Sequence, residues 1–190
     1  MAGRVALILG GAACVWTDVE AALDLGEYQA VIACNDVMAV WPGKLDALVT
    51  LHPDKAGLWL ERRRRNGFPD PARIAGHTNS LSSGRIPPCV KEFVEYRFPG
   101  QEASGSSGLF AVKYALMDIG VERAVLCGVP MSVDEAHFYD ARPWGGAIRH
   151  RKGWEESWEH TKHRVRSMSG WTMSMLGRPT SAWIEGDEEA

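Results

Sequence analysis

The sequence predicts an α/β fold, a three-layer sandwich built on a mainly parallel sheet. Short, continuous apolar runs such as Val5–Leu9 and Ala30–Cys34 are typical of strands that helices cover on both faces. Helical patterns lie between such runs, and this alternation indicates βαβ units. The chain has 190 residues, of which 45% are hydrophobic and 24% charged, as in one ordinary globular domain. These observations favour a single Rossmann-like domain.

The predicted elements follow from the apolar runs and from the glycine, proline and asparagine residues that separate them. The first helix is expected to begin with a capping box at Thr17 and to end at Gly26. Further helices are expected over 55–66, 109–119 and 154–167. Residues 134–150 show no clear period. Strands are expected at four strong and two weaker runs: Val5–Leu9, Ala30–Cys34, Asp46–Leu51 and Ala124–Cys127, then Arg73–Ala75 and Val90–Tyr96.

Composition divides the chain into one domain, residues 1–184, and an acidic tail, 185–190, that we expect to be frayed. Within the domain, residues 67–105 are rich in Gly, Pro and Ser and are predicted to be a loop-rich insert that crosses a site. Residues 134–184 hold five of the eight tryptophans. Such a cluster is typical of a core or of an interface with a partner, including a second copy of the chain.

Charge and cysteine usage limit the partners. The net charge is −3, so no general positive field favours nucleic acid as a partner, and the basic run Arg62–Arg65 is interpreted as a solvated helix face. The four cysteines form no CxxC pair and are expected to be free thiols in a reducing compartment. The first apolar run is too short for a signal peptide or a membrane span. We therefore expect a cytoplasmic protein without a membrane partner.

Ligands of parallel α/β sheets bind beyond the carboxyl ends of the strands, so the residues at those ends are the candidate site. Gly10 and Gly11 follow the first strand, where the absence of Cβ atoms lets backbone approach a phosphate near a helix N-terminus. The full dinucleotide fingerprint and the Walker A pattern are both missing. A plain tight turn therefore remains an equal interpretation of Gly10 and Gly11.

Polar residues follow the next two strands. Asn35 and Asp36 end the second strand, where an amide can bind a base or ribose, or can simply form an Asx turn. His52 follows the third strand and is either a phosphate ligand or base, or part of a helix-entry turn. The strongest local signal is the run Ser106-Ser107-Gly108, because capping a helix needs one Ser and not a run of hydroxyls and glycines. We expect this run to contact a ligand.

Segment 106–130 resembles bacterial CMP-sialic acid-dependent sialyltransferases and the Rossmann-like domain of archaeal 6-hydroxymethylpterin pyrophosphokinases. The shared pattern is a Ser/Gly turn, a helix, and a strand that closes on a glycine, here Gly128. The run Ala33-Cys34-Asn35-Asp36 is similar to the second strand of the sialyltransferases, in which the asparagine helps bind the nucleotide. The resemblance spans roughly residues 4–131. It implies one nucleotide site shared by Gly10, Gly11, Asn35 and Ser106–Gly108.

The resemblance implies a nucleotide-dependent transferase similar to a CMP-sugar glycosyltransferase, with a nucleotide or nucleotide sugar as ligand. A histidine, His150 or His137, would deprotonate the acceptor hydroxyl. One alternative is a pyrophosphokinase-like enzyme with Mg²⁺ held by Asp36 or Asp134. The other is a nucleotide-binding or oligomeric interaction protein without catalysis. No protein-only metal site is expected, since His160 and His163 lack a partner motif.

Overall fold

The fold is organised around one sheet of seven parallel strands, as the sequence predicts. The structure is a computed structural model that describes residues 3–78 and 86–187. Across the sheet the strand order is β5-β4-β3-β2-β1-β6-β9, and all neighbouring pairs are parallel. A separate antiparallel hairpin, β7–β8, completes the strands. Their bounds are β1 Val5–Leu9, β2 Ala30–Cys34, β3 Ala47–Thr50, β4 Arg73–His77, β5 Glu92–Val94, β6 Arg123–Cys127, β7 Ala136–His137, β8 Asp140–Pro143 and β9 Val165–Ser167.

Helices cover both faces of the sheet, which confirms the three-layer Rossmann-like sandwich. Successive residues of β1 alternate between the two cores, with Ile8 facing one and Leu7 the other. Helices α3, α4 and α6 pack on the first face, and α1, α2 and α7 on the second. The helices are α1 Val15–Leu23, α2 Ala56–Arg65, α3 Ser106–Lys113, α4 Ala147–Glu156, α5 Trp158–Thr161, α6 Gly170–Leu176 and α7 Ser181–Glu185. Helix α3 continues as a wider π-helical turn over Tyr114–Ile119. Short 3₁₀ turns cover Asn35–Ala39 and Pro53–Lys55.

The order of the strands fixes where a ligand can enter. From β1 the chain steps outward through β2, β3, β4 and β5, and α3 then leads back so that β6 pairs with the other edge of β1. The direction of winding therefore reverses at β1. Connections leave the carboxyl ends of β1 and β6 toward opposite sides, and this leaves a crevice between them.

The C-terminal third departs from the sequence prediction. The expected helix over 154–167 is confirmed only in its first half: α4 and α5 cover most of 154–161, whereas Val165–Ser167 forms the edge strand β9, which pairs with β6. Residues 134–150, which show no period, contain the hairpin β7–β8 and the start of α4. The expected capping box at Thr17 is also wrong, because α1 begins at Val15 and the Thr17 hydroxyl donates to the Cys14 carbonyl.

The interpretation of Arg62–Arg65 as a solvated face is wrong at Arg63. This side chain is fully buried, and its guanidinium donates to the backbone carbonyls of Met38, Trp41, Gly43 and Pro69. Arg63 thereby ties α2 to the 3₁₀ turn and loop that follow β2.

The remaining sequence predictions concern loops and termini. Residues 67–105 supply β4 and β5 to the sheet, and positions 79–85 of that stretch lie outside the described residues, as do 188–190 of the acidic tail. Among the tryptophans of the last third, Trp154 and Trp183 are buried in the cores and Trp144 and Trp158 are exposed. In the part of the chain that the structure describes, no helix is long and apolar enough to cross a membrane.

Candidate functional site

A cavity of about 620 Å³ opens at the carboxyl ends of β1, β2, β3 and β6. The structure brings the sequence-predicted nucleotide-binding and catalytic residues to its walls, although they are spread over more than half of the chain. They are Gly10, Gly11, Asn35, Asp36, His52, Ser106, Ser107, Gly108, His137 and His150.

Asn35 is held in one orientation by two hydroxyls. Thr50 Oγ1 accepts from the His52 N–H and Ser107 Oγ from the Leu51 N–H, so each hydroxyl donates its own proton to Asn35 Oδ1, at 2.7 and 3.1 Å. This pattern identifies the atom that accepts from both hydroxyls as the amide oxygen, so the other atom is the amide nitrogen. The amide nitrogen makes no hydrogen bond to the described residues and is free to donate to a ligand in the cavity.

Backbone strain is concentrated in the cavity walls. Among the described residues, the non-glycine residues with positive φ are Asn35 at 57°, Ser106 at 74° and Met131 at 50°, and all three line the cavity. Asparagine tolerates this left-handed region, whereas Ser and Met adopt it at a cost of about 1 kcal/mol or more. Strain of this kind persists where surrounding structure enforces it, and it is typical of sites that bind ligands.

The turn at Gly10 and Gly11 is mostly committed to packing within the protein. The N–H groups of Gly10 and Ala12 donate to the carbonyls of Cys127 and Gly128. A Cβ at Gly10 would lie 2.2 Å from the Gly128 carbonyl oxygen, and one at Gly11 would lie 2.4 Å from His137 Nε2. The two glycines therefore let β6 and the β7–β8 hairpin approach β1. The Gly11 N–H, which lies between those of Gly10 and Ala12, makes no hydrogen bond to the described residues.

The run Ser106-Ser107-Gly108 forms the first turn of α3. The N-cap position belongs to Gly105, and the Ser106 hydroxyl accepts from the Gly108 N–H at 3.3 Å. A Cβ at Gly108 would lie 2.6 Å from a methyl group of Val129, so this glycine lets α3 approach the loop after β6. The Ser107 N–H makes no hydrogen bond to the described residues. It lies at a helix N-terminus, which favours an anion.

His137 and Asp36 form a contact between the hairpin and the end of β2. His137 Nε2 lies 3.3 Å from Asp36 Oδ1, and Nδ1 is buried without a hydrogen-bond partner. Burial alone would raise the pKa of Asp36, but the hydrogen bond and charge of His137, together with the Tyr139 hydroxyl, hold it below its usual value. Asp36 is therefore ionised at neutral pH, and the pair fastens the hairpin over Gly11.

His150 presents a nitrogen that can accept a proton. Its Nδ1 lies 3.2 Å from the Ser104 carbonyl oxygen, which accepts hydrogen bonds only, so Nδ1 carries the proton in the neutral ring. The lone pair then resides on Nε2, which makes no hydrogen bond to the described residues. Trp144 stacks on the imidazole, with ring centres 5.5 Å apart, and fixes its plane.

His52 and Lys55 lie at the mouth of the cavity after β3. Partial burial and the nearby charge of Lys55 lower the pKa of His52, so this ring is neutral at pH 7. The Lys55 ammonium forms no hydrogen bond or ion pair within the described residues and can bind a phosphate. Sequence reasoning missed Lys55, although a cation directly after the His52-Pro53-Asp54 turn was a visible signal.

The acidic groups of the cavity are few. Asp36 contacts His137, Asp140 pairs with the exposed Arg142, and Glu135 lines the wall. Asp134, the other predicted Mg²⁺ ligand, is exposed and does not line the cavity. Across residues 3–78 and 86–187, no group of three His, Cys, Asp or Glu side chains is arranged to hold a metal ion. A Mg²⁺ ion bound here would therefore depend on ligand phosphates for most of its coordination.

The cavity thus combines a free amide donor, a free ammonium, a helix N-terminus and a histidine with an available lone pair. The first three groups suit an anionic, hydrogen-bonding ligand such as a nucleotide, and the fourth can accept a proton beside it. Comparison with family models, curated proteins and solved structures finds no significant match to this chain.

Proposed function

We propose that the chain is a nucleotide-dependent transferase of the CMP-sugar glycosyltransferase type. The observation that carries this proposal is the convergence on one cavity of residues that follow four different strands. The resemblance of segment 106–130 to CMP-sialic acid-dependent sialyltransferases indicates the ligand class. The position of the cavity, at the point where the winding of the sheet reverses, is where nucleotides bind in other doubly wound sheets.

The nucleotide contacts Asn35 and the first turn of α3. The Asn35 amide nitrogen donates to the base or ribose, since its oxygen is already occupied by Thr50 and Ser107. The phosphate lies against the Ser107 N–H and the Lys55 ammonium, which both favour negative charge.

The reaction uses His150 as general base. His150 Nε2 accepts the proton of the acceptor hydroxyl as that oxygen forms a bond to the anomeric carbon of the sugar. The bond from the anomeric carbon to the phosphate oxygen breaks, and CMP leaves with the electron pair. Lys55 and the N-terminus of α3 stabilise the charge that develops on the leaving phosphate.

Calorimetric titration of the full chain with CMP tests the nucleotide site. Asn35→Asp keeps an acceptor for Thr50 and Ser107 but replaces the amide donor, so CMP affinity should fall about tenfold or more. Gln29→Glu makes the same chemical change at the opposite end of the sheet, where Gln29 Oε1 accepts from the Val5 N–H, and should bind CMP as wild type does. Absence of CMP binding to the wild type would overturn the proposal.

Release of CMP from CMP-N-acetylneuraminate, with water as acceptor, tests the base. His150→Gln should lower the rate about 10²- to 10⁴-fold while CMP affinity is retained. His160→Gln is the matched control, because His160 bonds to the Pro99 carbonyl outside the cavity. CMP binding without turnover by the wild type would support the non-catalytic alternative instead. Turnover of a nucleoside triphosphate that requires Mg²⁺ would support the pyrophosphokinase-like one.

A further inference from the structure

A second recess adjoins the nucleotide cavity on the α2 side of the sheet. It has a volume of about 340 Å³ and shares Asp36 and Tyr139 with the main cavity, so the two spaces meet at these residues. Its walls come from the 3₁₀ turn after β2, from α2 and from the β7–β8 hairpin. The proposed nucleotide contacts do not use it.

The walls of this recess combine an apolar face with positive charge. Val40 and the rings of Phe138 and Tyr139 provide the apolar part, and Arg62 and Arg65 provide two guanidinium groups one helical turn apart. Arg65 is paired with Glu61. The Arg62 guanidinium makes no hydrogen bond or ion pair within residues 3–78 and 86–187.

Arg62 and Tyr139 line the same recess, and Asp36 lies where the recess meets the main cavity. Burial and the carboxylate of Asp36 raise the pKa of the Tyr139 hydroxyl, and the charge of Arg62 makes a smaller contribution in the opposite direction. Asp36 is ionised, so its charge disfavours an anion placed beside it at the junction.

We infer that the recess binds the anionic part of the acceptor. Its carboxylate or phosphate pairs with Arg62, a ring or aliphatic portion packs on Phe138 and Tyr139, and an uncharged end that bears the nucleophile enters the main cavity. The charges at the junction set this polarity, because Arg62 attracts the anionic group into the recess and ionised Asp36 disfavours an anion at the junction itself. The identification of the occupant as the acceptor rests on the proposed transferase function, whereas the anion site itself does not.

Phenyl phosphate is a suitable probe, since it joins an aromatic ring to a dianion. Titration of the full chain, followed by calorimetry, should show saturable binding, and Arg62→Gln should weaken it about tenfold or more. Arg64→Gln is the matched control: it lies on the same helix, pairs with Asp70 and lines neither space, so binding should be unchanged. Benzyl alcohol, which keeps the ring without the charge, should bind more weakly than phenyl phosphate.

Lys55→Gln shows which space the probe occupies. Unchanged affinity in this variant supports the recess, whereas a loss comparable to that in Arg62→Gln places the probe in the main cavity and overturns the inference. Equal binding by wild type and Arg62→Gln, or no saturable binding, also overturns it. The Arg62 side chain is exposed and makes no hydrogen bond or ion pair within the described residues, so circular dichroism should show an unchanged fold in Arg62→Gln.

The two proposals fail separately. If phenyl phosphate binding depends on Arg62 but CMP does not bind, the anion site stands and the transferase function falls. If CMP binds through Asn35 but phenyl phosphate binding ignores Arg62, the recess is not an anion site and the nucleotide site stands.

Discussion

Replacing Arg63 by Met removes a buried guanidinium from the backbone carbonyls to which it donates. Arg63 Nη1 donates to the carbonyls of Met38 and Trp41, at 2.7 and 2.6 Å, and Nη2 donates to that of Gly43 at 2.7 Å. Nε donates to the Pro69 carbonyl. Met fills part of the same volume but provides no donors.

The expected loss of stability follows from how deeply these carbonyls are buried. The bond to Met38 is fully buried, so its carbonyl loses its partner at a cost of about 1–3 kcal/mol. The other three bonds are partly exposed, and water can replace Arg63 at a cost of about 0.5–1 kcal/mol each. The sum is about 2.5–6 kcal/mol, a large part of the stability of about 5–15 kcal/mol that is typical of a domain.

Urea or thermal unfolding measures this loss. For a domain of this size, the loss lowers Tm by about 5–24 °C. Arg64→Met removes an exposed pair with Asp70 and should leave the unfolding midpoint nearly unchanged. Similar unfolding midpoints for Arg63→Met and Arg64→Met would refute the role of the buried Arg63 in joining α2 to the 3₁₀ turn and loop after β2.

Two further predictions concern the hairpin and the response to pH. Gly11→Ala places a Cβ 2.4 Å from His137 Nε2 and should displace the hairpin. CMP affinity and the stability of the fold should then fall together, by about 1–3 kcal/mol. Gly145→Ala is the control, because its Cβ meets open space and should change neither quantity. Asp36 and His52 both have a pKa below the usual value, so the unfolded chain binds more protons at acidic pH and the fold loses stability as the pH falls. The loss tied to His52 begins below its ordinary pKa of 6.5, and that tied to Asp36 below 3.8. Urea midpoints at pH 7.5 and 5.5 should therefore differ less in His52→Gln than in the wild type, and an equal difference would contradict the His52 assignment.

The central strands were predictable because burial on both faces leaves a direct mark on the sequence. β1, β2, β3 and β6 are continuous apolar runs, and their positions agree with the prediction to within a residue or two. β9 was not predictable in the same way. It is a three-residue edge strand, Val165–Ser167, in which Arg166 interrupts the buried positions, and it follows a polar stretch of helical composition. Its pairing with β6 stabilises the extended conformation, which its own sequence does not indicate.

The sequence of α2 contains a signal for the burial of Arg63, but the charged residue type favours the opposite prediction. The buried residues of α2 are Ala56, Trp59, Leu60 and Arg63, which have the i, i+3, i+4, i+7 spacing of one helix face. That spacing places Arg63 on the apolar stripe and Arg62 off it. A run of four arginines nevertheless favours a solvated face, and only the nearby carbonyls of the folded chain reverse that expectation.

The candidate site was predictable in its members but not in their individual roles. The rule that ligands bind at the carboxyl ends of parallel strands selected Asn35 and His52. Ser107 was selected by the run of hydroxyls and glycines at a helix start, and His150 by the family resemblance. The sequence could not reveal that Thr50 and Ser107 fix the Asn35 amide, or that Ser104 selects the tautomer of His150. These contacts join residues that are far apart in the chain, and they exist only once the sheet has formed.

The nucleotide site is tested by titrating the ¹⁵N-labelled full chain with CMP and following the backbone amide resonances. We expect saturable shifts that cluster at Gly11, Asn35, Lys55 and Ser107, and their loss in Asn35→Asp. We expect no shifts at Gln29, at the opposite end of the sheet. Saturable shifts confined to another surface, or no saturable shift at all, would contradict the claim that this cavity is a nucleotide site.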